Sequence, residues 1–207
     1  MTSMSFIRGF FAFFMDILET VVFMGAMFIV VYLYILQPNQ VKGSSMVPTF
    51  ENQDYIFTSR ITYKLKKPER GDVVVFKSPQ NPDIEYIKRV IALPGDTVSF
   101  TNCRAPDNTD CDVSVNDYPL VEKYIKERTQ LFENSLYIPD EMLTVPPDHF
   151  FVMGDNRPGS LDSRIFGPVS TDSIIGVVFF RYLPREKAGA IHNPFTSQGG
   201  AIPATTP

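Results

Sequence analysis

Ser45 sits in Gly43-Ser44-Ser45-Met46-Val47-Pro48-Thr49, a serine held between small residues and a proline turn. A serine hydroxyl becomes a nucleophile when a neighbouring base takes its proton. The same residues are good turn formers, so the stretch alone leaves both readings open. A base is offered by Lys88, inside the run Tyr86-Ile87-Lys88-Arg89-Val90-Ile91. Alternation along a strand puts Lys88 on one face with Tyr86 and Val90, and Ile87, Arg89 and Ile91 on the other. Burial penalises the charged amine. A drop of about 3 units from about 10.4 leaves it neutral near pH 7 and able to accept the serine proton. The alternative is a lysine that snorkels to the sheet surface or pairs with Glu85. A third cluster runs from Gly154 through Asp155, Asn156, Arg157, Pro158, Gly159, Ser160, Leu161, Asp162 and Ser163 to Arg164. In it Ser160 could orient a neutral lysine amine, and Asp162 with Arg164 could brace the loop as an ion pair. An ordinary turn, with Asp and Asn bonding their own backbone, accounts for the same residues.

Other chemistries have less to work with. The chain has two histidines, His149 in a proline-rich loop and His192 near the C-terminus, which argues against a Ser-His-Asp arrangement or a histidine metal site. Its two cysteines, Cys103 and Cys111, flank a polar turn-forming loop and lack a second Cys or His pair, so no zinc site is expected. A disulfide closing a hairpin suits an oxidising compartment, and two free thiols are the alternative. No cofactor is implied. A formal net charge of −4 without a basic patch excludes a general nucleic-acid binder.

These residues need elements to position them. Residues 17–36 form an apolar run with Glu19 as its one ionisable group. As a helix it spans about 30 Å, the thickness of a bilayer's hydrocarbon core. Tyr32 and Tyr34 suit an interfacial belt, and no small-x-small cleavage site follows the run. The expectation is an uncleaved single-pass anchor with the N-terminus cytoplasmic, after a short segment 1–16. Beyond it the pattern turns to strands, at 54–58, 73–76, 85–93, 97–100, 112–115, 150–153 and 174–180. A β-rich domain over 37–185 is expected, with an inserted subdomain at 97–145 built on the cysteine hairpin. Residues 118–145 read as a polar insertion, part of it weakly helical. Residues 186–207 read as a flexible tail.

In this order the motifs resemble the bacterial type I signal peptidases, membrane-bound Ser/Lys endopeptidases that remove signal peptides from exported proteins. The matching residues are Gly43 to Thr49, Arg70-Gly71-Asp72-Val73-Val74-Val75-Phe76, Tyr86 to Asp96, and Gly154-Asp155-Asn156 with Ser160, Asp162, Ser163 and Arg164. The resemblance implies a mostly β fold: an N-terminal transmembrane helix, then a catalytic domain of antiparallel sheets with a small inserted β-hairpin subdomain. It implies Ser45 as nucleophile, Lys88 as general base, Ser160 orienting the amine, and Asp162 with Arg164 holding its loop. The Ser45 main-chain N–H would be one oxyanion donor. The family's second donor, a serine hydroxyl in some members, falls at Gly43, whose backbone or a water would have to serve. Met46, Phe50, Tyr86 and Ile87 would line the pocket for the residue before the cut. Val41, Ile56, Val75 and Ile87 would line the pocket two residues further back. The implied partners are signal peptides of exported preproteins and the lipid bilayer. The implied place is the plasma membrane, with the catalytic domain on its outer, periplasmic or extracellular face. Penicillin-binding Ser/Lys enzymes need Ser-x-x-Lys, which does not occur here. A self-cleaving repressor would carry a DNA-binding domain where this chain has its apolar run. The rival of another class is a non-catalytic, membrane-anchored β-domain that binds export substrates.

Overall fold

A computed structural model describes residues 2–34, 37–60, 66–104 and 109–195. Residues 35–36 of the expected anchor, 105–108 of the cysteine loop, 196–207 of the tail and the side chain of Tyr34 lie outside the described residues.

The first element, α1 (Thr2–Tyr34), is one continuous helix. Its stretch Gly9–Val30 is long and apolar enough to cross a membrane, and none of it is buried against the rest of the protein. The side chains of Phe10, Phe14, Phe23 and Phe28 are exposed there. Lipid is the solvent in which such a surface is stable. This window overlaps the expected anchor from residue 17 to residue 30 and begins earlier along the chain.

The larger sheet follows the order β1 (Gln37–Gln40), β2 (Tyr55–Ser59), β12 (Ile174–Leu183), β3 (Val73–Lys77), β4 (Glu85–Ala92), β10 (His149–Met153), β11 (Val169–Ser170). The smaller sheet holds β5 (Thr97–Arg104), β6 (Asp110–Val115), β7 (Tyr118–Pro119), β8 (Thr129–Gln130) and β9 (Met142–Thr144), all within 97–145. Its centre is the cysteine hairpin, with Val98 opposite Val115 and Cys103 bonded to Cys111. Every strand pairing among the described residues is antiparallel.

The residue patterns explain which faces are covered. In β3, Val73 and Val75 point into a cluster with Val41, Met46, Phe50, Ile56 and Val178. Val74 and Phe76 point the other way, into a cluster with Val90, Phe150 and Val152. Both faces are buried, so the strand reads as a continuous apolar run. A third cluster joins Ile91, Phe151 and Met153 of the large sheet to Val98, Phe100, Val113 and Val115 of the small one. That contact seats the inserted subdomain beside β4 and β10.

Two expectations are corrected. The described residues of 118–145 contain turns and short strands but no helix, and Glu122 in this stretch turns inward to pair with the buried Arg157. Residues 186–195 are docked on the domain. β13 (Gly189–Ala190) pairs with β12 where β3 has ended, and the Ile191 N–H donates to the Phe179 carbonyl at 2.9 Å.

Candidate active site

Ser45 lies in the turn that follows β1. The β1–β2 pairing extends one step past β1, through Val41 N–H to the Asp54 carbonyl at 2.8 Å. The chain then bends at Gly43, which has φ of +92°, a conformation that favours glycine. The Gly43 N–H donates to Asn52 Oδ1 at 2.9 Å. Met46 and Phe50 plunge into the core, at 1% and 0% exposure, and pin the turn from below. Ser45 is left half-buried at the surface of the loop.

Lys88 reaches the same point from β4. Its Nζ is 2.8 Å from Ser45 Oγ and 3.0 Å from the Ile87 carbonyl oxygen. The residue is buried, with Tyr86 beneath the amine at 5.3 Å from the ring centroid. Burial pushes the ammonium down from 10.5 to about 8, against the opposing pull of Asp162 and Asp155. Near neutral pH a usable fraction is therefore free amine. In that form the Ser45 hydroxyl donates to Nζ, which is the geometry of proton transfer.

The third segment, Gly154 to Arg164, presses on both. Asn156 N–H donates to the Ser45 carbonyl at 3.0 Å, and Asn156 Nδ2 to the Ser44 carbonyl at 3.1 Å. Gly154 sits where a Cβ would overlap Ser160 Oγ and the Ser45 carbonyl oxygen, so only glycine fits. Asp162 and Arg164 are both fully buried and form a bidentate pair at 2.8 Å through Nε and Nη2. Asp162 Oδ2 also accepts the Gly154 N–H at 3.0 Å. Burial alone would raise the Asp162 carboxyl. The Arg164 bonds and charge, with the Gly154 N–H, hold it below the usual carboxylate value. Arg164 then ties down the carbonyls of Arg157 at 2.7 Å and Ser160 at 3.3 Å. Ser160 itself is buried, and among the described residues its Oγ has no hydrogen bond of good geometry. It lies close enough to Asp162 to help lower that carboxyl, but the expected bond to Lys88 is not formed. The amine is turned instead toward Ser45 and Ile87.

A groove of about 830 Å³ leads to Ser45. One wall is residues 38–45, the other is residues 83–88, and Gly159 and Leu161 close the end. The β4 wall is an open strand edge. β10 pairs with β4 only from Arg89 onward, so among the described residues no strand pairs with Glu85 to Lys88 on that side. Ile84, Val90 and the Gly71–Asp72 turn bond on the β3 side. The two-residue alternation therefore aims the N–H and C=O groups of Glu85 and Ile87 into the groove. Of the expected pocket residues, Val41, Ile56, Val75, Tyr86 and Ile87 line it. Met46 and Phe50 do not; they back the floor from beneath. The Gly43 N–H, already bound to Asn52, is not free to serve as an oxyanion donor.

Sequence reasoning passed over a set of buried ions behind this site. Arg89 grips Asp155 with Nε at 2.8 Å and Nη2 at 2.6 Å, and Asp155 accepts from Thr49 Oγ1 at 2.5 Å. Arg157 pairs with Glu122 and donates to the Gly154 carbonyl at 3.0 Å. One signal was available: Arg89 is a second charge in an apolar strand, on the face away from Lys88, and needed an acid. Among the described residues no group of three or more His, Cys, Asp or Glu is placed to hold a metal ion.

The family model for signal peptidase, peptidase S26, matches residues 14–183. The chain belongs to the signal peptidase family. It is 30% identical to a signal peptidase I of Pseudomonas fluorescens, covering 87% of this chain and 77% of that protein. It is 34% identical to a signal peptidase I of Leptolyngbya laminosa, over 78% of this chain and 75% of that one. A signal peptidase IB of Staphylococcus aureus is 31% identical over 86% of this chain and 96% of its own length. Among solved structures, a signal peptidase I from Enterococcus faecalis V583 is 37% identical, covering 54% of this chain and 97% of that one with a TM-score of 0.39. The matched span of the signal peptidase family model takes in Ser45, Lys88 and the whole Gly154 to Arg164 segment.

Proposed function

We propose that this membrane-anchored serine endopeptidase cleaves signal peptides from exported preproteins, with Ser45 as nucleophile and Lys88 as general base. The observation that carries the assignment is the 2.8 Å approach of Lys88 Nζ to Ser45 Oγ at the end of an open-edged groove.

The substrate's cleavage segment lies extended in the groove as an added strand, bonding the N–H and C=O groups that Glu85 and Ile87 turn toward it. Apolar walls from Val41, Ile56, Val75, Tyr86 and Ile87 accept small side chains and reject large ones by clash. Ser45 Oγ attacks the scissile carbonyl while the neutral Lys88 amine takes its proton. The Ser45 N–H stabilises the oxyanion. The Lys88 ammonium then protonates the leaving amine, and a water deprotonated by Lys88 releases the acyl-enzyme. Ser160, a buried hydroxyl with no other strong bond, receives and steadies the amine as it turns from serine to leaving group. Gly9–Val30 crosses the plasma membrane once, with the N-terminus cytoplasmic. The groove then faces outward at the bilayer surface, where a substrate's own apolar segment ends.

The test is cleavage of an Ala-x-Ala preprotein by the purified full-length chain. Wild type cuts after the second small residue; Ser45→Ala does not, while unfolding at the same temperature. A wild type that binds the preprotein without cutting it would favour the non-catalytic binding domain instead.

A further inference from the structure

The C-terminal residues beyond β12 double back across the rear of the site. Asn193 Nδ2 donates to the Arg70 carbonyl and to Asp72 Oδ1, both at 2.8 Å. Gly71 lies between them, and a Cβ there would overlap both Asn193 and Phe195. The Asn193 Oδ1 accepts the Phe195 N–H at 2.9 Å, which folds the segment into a tight turn. The Phe195 ring then sits edge-on to Tyr124, centroids 6.1 Å apart.

Both contacts lead to one side chain. The Gly71 carbonyl, in the turn that Asn193 holds, accepts from Arg89 Nη1 at 2.8 Å. The Tyr124 ring, against which Phe195 packs, lies under the Arg89 guanidinium at 4.3 Å. Arg89 is fully buried and spends its remaining donors on Asp155 and Thr49. Thr49 lies in the Ser45 turn, and Asp155 precedes Asn156, whose N–H holds the Ser45 carbonyl.

We propose that the segment Gly189–Phe195 is a positioning strap, which through Asn193 and Phe195 locks Arg89 and so sets the Ser45 turn against the Gly154–Ser160 loop. None of its side chains touches substrate. Its effect is on the placement of the nucleophile, because a guanidinium held on its edge and on its face cannot slide relative to Asp155. Misplacement of reacting groups costs rate far more than it costs fold. The strap's catalytic consequence rests on the reading that Ser45 and Lys88 do the chemistry; its mechanical part does not.

The experiment uses the full-length chain in detergent micelles with Asn193→Ala, Phe195→Ala, the double variant, and Phe195→Tyr as the conservative control. Two readouts are taken: kcat and KM on an Ala-x-Ala preprotein, and hydrogen exchange at the Asn156 amide. The double variant is expected to lose about tenfold in kcat with KM unchanged, and to lose exchange protection at Asn156 but not across β5 and β6. Phe195→Tyr keeps wild-type values. In an Arg89→Lys background the strap substitutions add no further loss, since both act through one side chain. Wild-type kcat with unchanged Asn156 protection in the double variant overturns the proposal. Losses fully additive with Arg89→Lys, or protection lost evenly over the whole domain, overturn it equally. If the wild type fails to cleave, the peptidase reading falls and the Asn156 exchange result alone decides the strap.

Discussion

Lys88, the proposed base, carries two demands in one side chain: it must be buried to accept a proton near neutral pH, and burial costs stability. Its amine titrates at about 8, so the free-base fraction grows as pH rises through that value. kcat/KM should rise about tenfold per pH unit below 8 and level off above it, measured on a peptide with no titrating group in that range. The stability consequence has a definite sign. Between about 8 and about 10.5 the unfolded chain holds the proton and the folded one does not, so this residue makes stability increase with pH across that window. Below it, the buried ammonium costs about 3 kcal/mol. None of its acidic neighbours depends on it, since Asp162 pairs with Arg164 and Asp155 with Arg89. Lys88→Met should therefore abolish cleavage yet melt several degrees higher at pH 7, as read by calorimetry. Ser160→Ala should lower kcat about tenfold with little change in stability, because its hydroxyl has no strong bond to lose in the resting state. Equal rates across pH would remove it from the mechanism.

At the scale of elements, three segments distant in sequence meet at Gly154, and buried ion pairs decide how firmly. Asp162→Asn leaves the Arg164 guanidinium buried without its carboxylate. A loss of about 3–5 kcal/mol is expected, measured by urea denaturation, with activity lost in the fraction still folded. The same carboxyl, held below its usual value, contributes stability that is full above about pH 4 and is lost as pH falls through its lowered folded value. The contrast with Lys187 and Glu51 is instructive. That pair is closer, at 2.6 Å, but solvent-exposed, and substitution of either should be near neutral.

For the whole molecule, the apolar helix and the disulfide support the proposed position of the groove outside the membrane. None of Gly9–Val30 is buried among the described residues, so the full chain should stay with membranes through alkaline carbonate washing. Protease added from outside spheroplasts should digest the domain while the intact cell interior is spared. Digestion only after lysis would reverse the proposed orientation. Cys103 and Cys111 should resist alkylation until reduced, read by mass spectrometry of protein taken from the outer face.

Much of this was written locally. The apolar span, the strands with two-residue alternation, and the motifs holding Ser45, Lys88 and Asp162 are short-range patterns, because periodicity and turn chemistry depend on neighbours in the chain. The alternation in β4 even separated Lys88 from Arg89 correctly, one directed to Ser45 and the other to Asp155. What local pattern does not encode is which distant charge neutralises a buried one. The partners of Arg89 and Arg157, the exclusion of Met46 and Phe50 from the groove surface, and the engagement of the Gly43 N–H by Asn52 arise from approaches across the fold. So does the docking of Asn193 and Phe195, whose proline- and glycine-rich surroundings read as tail. The sequence by itself determined the family and the anchor, and it named the two side chains, Ser45 and Lys88, that the fold brings within 2.8 Å of each other. Only the tertiary structure decided what holds that pair in place, since burial and ion pairing are properties of the packed chain and not of any stretch of it.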